Sequence, residues 1–108
     1  MKQISAFIHP HRINMVTAAL RDSGLCDICV GSGFYNLTVS NVQRLYSNHE
    51  PGQHYSVELA EPVVAEIKLE LICEDKLAEQ LAVLIANTAK PGPGWVFVGD
   101  MQTAIRIT

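Results

Sequence analysis

Two clusters in this chain have residue types that could bind a metal or carry redox chemistry. Cys26 and Cys29 form a Cys-x-x-Cys in "CDIC", and His9 and His11 flank a proline in "HPH". A Cys-x-x-Cys in a reducing compartment can be a redox pair or half of a zinc site. A redox pair is expected just before a helix, where the helix N-terminus lowers a thiol pKa. Here the pair follows a helical pattern and enters an extended one, so the cysteines read as small buried residues. Histidines two apart in an extended segment put both imidazoles on one side, which suits a metal. No third and fourth ligand follow at a readable spacing, and His49 and His54 lie in a distant polar stretch. Gly31-Ser32-Gly33 lacks the surroundings of a nucleophile elbow, and no nucleophile–base pair is recognisable. The sequence therefore does not read as an enzyme.

A third cluster is Lys90-Pro91-Gly92-Pro93-Gly94-Trp95. Glycines let backbone N–H groups approach a ligand, and consecutive exposed N–H groups form an anion pocket. The prolines stiffen such a loop. Lys90 and, further on, Arg106 supply positive charge. The plain alternative is a helix-to-strand connection without a ligand.

The 108 residues suit one domain, with 48% hydrophobic and 18% charged residues and a net charge of −3. No basic run is present, which argues against nucleic-acid binding. No apolar run is long enough to span a bilayer, and three cysteines fit a reducing compartment better than a disulfide scaffold. A cytoplasmic protein without membrane insertion is expected, and the high apolar share suggests that copies of the chain cover part of its surface.

The elements that must position these clusters follow from periodicity. Ile4, Ala6 and Ile8 alternate with polar neighbours as a strand. Ile13, Val16 and Leu20 recur at helical spacing, and Gly24 stops that helix. A second strand is expected over Asp27–Gly33. From Phe34 to Pro62 the pattern is irregular and predicts a long functional loop, though "LTVSNVQRLY" could extend the strand. Ala65, Ile67, Leu69 and Leu71 alternate with Glu66, Lys68 and Glu70 as a half-buried strand whose charged face is solvated. Asp75 caps a second helix that buries Leu77, Leu81, Leu84, Ile85 and Thr88. Strands follow at Trp95–Gly99 and Ala104–Thr108. Two β-α-β halves predict a ferredoxin-like α+β sandwich, βαββαβ, with a long loop between strands 2 and 3 and a short C-terminal strand.

The chain resembles the PII family of signal-transduction proteins over most of its length. "MKQISAFIHPHRINMVTAALRDSGL" is similar to the family's first strand and helix, and "YSVELAEPVVAEIKLELICED" to the return strand after its long loop. The most specific block is "LAEQLAVLIANTAKPGPGWVFVGDMQTAIRIT", which resembles the second helix, the T-G-x-x-G-D-G-K-I-F-V loop and the terminal I-R-I-R. The resemblance implies one PII-like domain over residues 1–108 and a homotrimer with ligand clefts between subunits. It also implies a T-loop that reports the ligand state to a regulated target, a membrane transporter or an enzyme. No cofactor is required, and an adenine nucleotide is the implied ligand. Lys90, Gly92, Gly94, Trp95 and Arg106 are its implied contacts, and Tyr46, His54 and Tyr55 lie in the implied partner-contact loop.

The chain departs from the family pattern at the phosphate contacts. Pro93 replaces the loop aspartate, Trp95 replaces the phosphate-binding lysine, and Thr108 stands at the second arginine of I-R-I-R. Each lost phosphate contact is worth about 2 kcal/mol when well formed. A less charged ligand is therefore expected: ADP, AMP or a cyclic nucleotide, with bicarbonate as a second anion. The family's Gly-Phe-Gly after the second strand is out of register, with Tyr35 and Leu37 where its glycines would be. The loop glutamine has no counterpart. Tyr55 stands near the loop tyrosine that some members have uridylylated, in different surroundings. The alternatives are a metal-responsive trimer similar to the divalent-cation tolerance proteins, using His9, His11, Cys26 and Cys29, or a ligand-free interaction module.

Overall fold

The computed structural model describes residues 1–25, 34–45 and 52–108. Its elements are β1 (Lys2–Ile8), α1 (Ile13–Asp22), β2 (Phe34–Leu45), β3 (Gln53–Ser56), β4 (Glu61–Cys73), α2 (Asp75–Ala89) and β5 (Trp95–Asp100), with a single 3-10 turn at Pro10–Arg12. The sheet is antiparallel in the order β2-β4-β1-β5. Setting β3 aside, this is the expected ferredoxin-like arrangement. β2 runs along one edge of β4. The other edge is shared end to end, by β1 over Ile67–Cys73 and by β3 over Glu61–Val64.

Both helices lie on one face of the sheet. Ile4, Ala6 and Ile8 of β1 and Leu69, Leu71 and Cys73 of β4 point into this layer, where Val16, Leu20, Ala78, Leu81 and Ile85 meet them. The register fixes this shared face, because Ile4 pairs with Leu71 and Ala6 with Leu69. Gly24 ends α1 as expected, at a positive φ of 73°. Ser23 assists, its hydroxyl donating to the Leu20 carbonyl at 2.6 Å. On α2, Asp75 is the first helical residue and Glu74 is the cap. The Asp75 carboxylate pairs with the Met1 amine instead of closing the helix.

Three expectations need correction. The stretch from Phe34, read as irregular with a possible strand over "LTVSNVQRLY", is a 12-residue strand up to Leu45, and the polar stretch beyond it contains β3. Tyr35 and Leu37 therefore lie inside a strand and not beyond one. β2 carries no alternation because the helices do not reach its far half, so Val39 and Leu45 are as exposed as their polar neighbours. A bulge between Tyr35 and Thr38 takes Asn36 to a φ of 57°, a conformation that asparagine tolerates. Second, Ala104–Thr108 forms no strand in the chain itself. A strand needs a neighbour for its backbone groups, and among the described residues none pairs with this segment. Third, Glu66 is not solvated: it is 4% exposed and accepts a hydrogen bond from Arg44 Nε at 2.7 Å. The strand expected at 27–33 lies outside the described residues.

Candidate functional site

The Pro/Gly turn is built from the end of α2 upward. Pro91 keeps Lys90 out of the helical region, and Lys90 adopts φ −69°, ψ 151°. The two glycines serve different purposes. Gly92 has φ 137°, which a side chain would strain, and a Cβ there would stand 3.7 Å from His9 Cβ. Gly94 is glycine for space: a Cβ there would collide with the carbonyl oxygen of Phe7. The turn thus passes directly over the end of β1. The Lys90–Pro91 peptide is cis.

Beneath the turn is a cleft of about 360 Å³. Lys90, Gly92, Pro93, Gly94 and Trp95 form one side, and Ile8, Ala86, Ala89 and Val96 contribute apolar surface. Four of the five residues expected at a ligand site are therefore gathered at one cleft. Among the described residues Lys90 is its one charged residue, and no carboxylate lines it. Arg106 does not line it; it lies on the exposed terminal segment.

Trp95 lines the cleft from the strand end, while its ring stacks on Phe97 with centroids 5.8 Å apart. Phe97 in turn meets Phe7 edge-on at 6.0 Å, and Lys68 Nζ stands 5.9 Å from the Phe7 ring centre. The register pairs Phe7 with Trp95 and Ser5 with Phe97, which puts this aromatic ladder on the sheet face opposite the helices. Trp95 is 66% and Phe97 51% exposed, so the described residues leave most of the ladder uncovered.

Sequence reasoning missed two participants at the cleft. The Phe7 backbone acts through its position under Gly94, which no residue type signals. Arg12 donates from Nη2 to the Thr88 carbonyl at 3.0 Å, and its signal was only a basic residue just before a helix.

The other candidate residues are dispersed. His54 lies on β3 opposite Val63 and, with Pro10, Asn41 and Gln43, lines a separate groove of about 510 Å³. Tyr55 is 63% exposed. Tyr46 lies outside the described residues. His9 and His11 do sit side by side, with ring centres 4.9 Å apart. They belong to a turn and not to an extended segment, and His9 Nδ1 accepts the His11 backbone N–H at 3.1 Å. Among the described residues no group of three or more His, Cys, Asp or Glu could hold a metal. Cys26 and Cys29, the other half of that candidate set, lie outside them, as does Gly31-Ser32-Gly33.

Among the described residues no helix is long and apolar enough to cross a membrane. The family model for "Nitrogen regulatory protein P-II" matches residues 1–108. Among curated relatives, the nitrogen regulatory protein P-II of Rhodospirillum rubrum is 33% identical and that of Porphyra purpurea 31%. Each alignment covers 99% of this chain and 91% of the relative. With the βαββαβ sheet order and the glycine turn over β1, these matches identify the chain as a member of the nitrogen regulatory protein P-II family.

Proposed function

We propose that this regulatory protein is a cytoplasmic homotrimeric sensor. It binds an adenine nucleotide with a short phosphate chain, ADP or AMP, at the cleft under the Lys90–Trp95 turn. Ligand binding alters a partner contact made by the stretch from the end of β2 through β3, including His54 and Tyr55. The observation that carries this reading is the cleft's composition. Backbone at Gly92 and Gly94 can approach a phosphate closely, Lys90 brings one positive charge, and the rest is apolar surface suited to a base. One charge suits a mono- or diphosphate better than a triphosphate, whose charge would be left largely unmatched. The exposed ladder of Phe7, Phe97 and Trp95 supports self-association, as do Ile105 and Ile107, which are 84% and 95% exposed. In a trimer, Arg106 would reach a neighbour's cleft from the terminal segment, and bicarbonate would sit beside the nucleotide as a second anion.

Calorimetric titration with ADP, AMP, cyclic AMP and ATP, with and without bicarbonate, tests this. Saturable binding of ADP or AMP, weaker for ATP and weakened further in Lys90→Ala, is expected. Silence across the panel overturns the sensor reading. A ligand-free interaction module then replaces it, which the cleft's single charge and otherwise apolar lining would suit.

A further inference from the structure

We infer that Arg12 is a positioning residue for the candidate cleft: by bonding the Thr88 carbonyl it fixes where the Lys90–Gly94 turn begins. The ligand part of this inference rests on the function proposed above, whereas the positioning part does not. The last carbonyls of a helix have no partner within the helix. At the end of α2 one of them, that of Thr88, accepts from Arg12 Nη2 at 3.0 Å. A cation there also opposes the negative end of the helix dipole. Thr88 lies two residues before Lys90, so this bond anchors the chain where it leaves the helix.

Arg12 is itself held by a tight turn. Its backbone N–H donates to the His9 carbonyl at 2.8 Å, directly after β1 ends at Ile8. The segment 7–12 therefore meets the turn at three successive points: Arg12 at Thr88, His9 at Gly92 and Phe7 at Gly94. At Gly92 the contact is an ordinary one, and at Gly94 the Phe7 carbonyl excludes a side chain; neither attracts the turn. Among the described residues, Arg12 makes the one side-chain hydrogen bond between segments 7–12 and 88–94. The guanidinium does not line the cleft, and its Nε is buried without a partner among the described residues. Its effect on a ligand would pass through Thr88 to Lys90 and Gly92.

The full-length chain is compared with Arg12→Ala, Arg12→Lys and Arg12→Gln by amide exchange and by ADP titration. Lys and Gln each keep a donor and guard against loss of folding in the alanine variant. Trp95, the only tryptophan, gives a fluorescence readout beside the turn. In Arg12→Ala, faster exchange at Thr88 and Ala89, the last helical amides beside the lost bond, and a changed Trp95 emission are expected, while Leu69 and Leu71 stay protected. ADP affinity should fall about tenfold, the worth of one charge-assisted bond, and Arg12→Lys should restore most of it. Unchanged exchange at Thr88 and Ala89 together with unchanged Trp95 emission overturns the inference. So does faster exchange that extends to Leu69 and Leu71, because Arg12 would then serve the core and not the turn. If the unaltered chain binds no ADP, the cleft reading fails while the exchange comparison still decides the role of Arg12.

Discussion

The carbonyl oxygen of Phe7 occupies the space that a side chain at Gly94 would need. Gly94→Ala must therefore push the turn off β1 or displace the start of β5, both paired through the Phe7–Trp95 register. A loss of about 1–3 kcal/mol is expected, as for other overpacked contacts. Gly99 is the control: it lies in β5 with nothing within 4 Å of an added Cβ. Gly99→Ala should leave stability nearly unchanged. Urea unfolding of the two variants measures the difference, and equal midpoints would remove the steric role of Gly94.

The ladder of Phe7, Phe97 and Trp95 predicts an assembly. A charge at its centre, Phe97→Glu, leaves the helix-side core untouched but places a carboxylate in any interface on that face. The unaltered chain should run as an oligomer in light scattering, and the variant as a smaller species with the same far-ultraviolet circular dichroism. Oligomers of unchanged size in the variant would place the interface elsewhere.

Arg44 and Glu66 join neighbouring strands, with Glu66 almost fully buried. Removing the cation leaves a buried carboxylate uncompensated, so Arg44→Ala should cost roughly 3 kcal/mol. Arg44→Ala combined with Glu66→Ala should cost less than the sum of the two single changes. A double-mutant cycle in denaturant checks this, and strict additivity would mean that the pair is not coupled.

Glu70 predicts a pH dependence. The hydrogen bond from Lys68 is the main cause that holds its pKa below the ordinary glutamate value, against the opposing effect of burial. Gln3 Nε2 donates to its other oxygen at 3.0 Å. A lowered folded-state pKa contributes stability above the unfolded-state value, and this is lost as pH falls through the folded-state pKa. Lys68→Met should therefore be less stable than the unaltered chain at neutral pH, and the gap should close in acid. A gap that persists at the lowest pH would assign the effect to packing of Lys68 on Phe7.

Legibility in the sequence followed burial. Where one face is covered, as along Leu69, Leu71 and Cys73, the period of two was plain and the strand was read correctly. β2 is legible only in part: "LTVSNVQRLY" reads as a possible strand and covers it from Leu37, but the signal is weak because both faces of its outer half meet solvent and its pairing depends on backbone groups. Ala104–Thr108 is the reverse case, an alternation with no neighbouring strand among the described residues. At the cleft, the glycines of the turn could be read from type and spacing. The approach of Phe7 to Gly94 and the reach of Arg12 to Thr88 could not, because both depend on how distant segments meet.

The end-to-end sharing of one edge of β4 has a mechanical consequence. Past Ile67 the helices no longer cover the sheet, and β4 continues toward Glu61 as the middle of three strands, between β2 and β3. Six residues of overhang, Glu61 to Glu66, amount to about 20 Å. β2 holds the overhang along Val63–Glu66 and β3 holds its far end along Glu61–Val64, while Ala65 and Glu66 pair with neither β1 nor β3, so it behaves as a cantilever with a soft point at its base. A slight rotation where β1 hands over to β3, beside Pro10, is magnified along its length into a displacement at the far end.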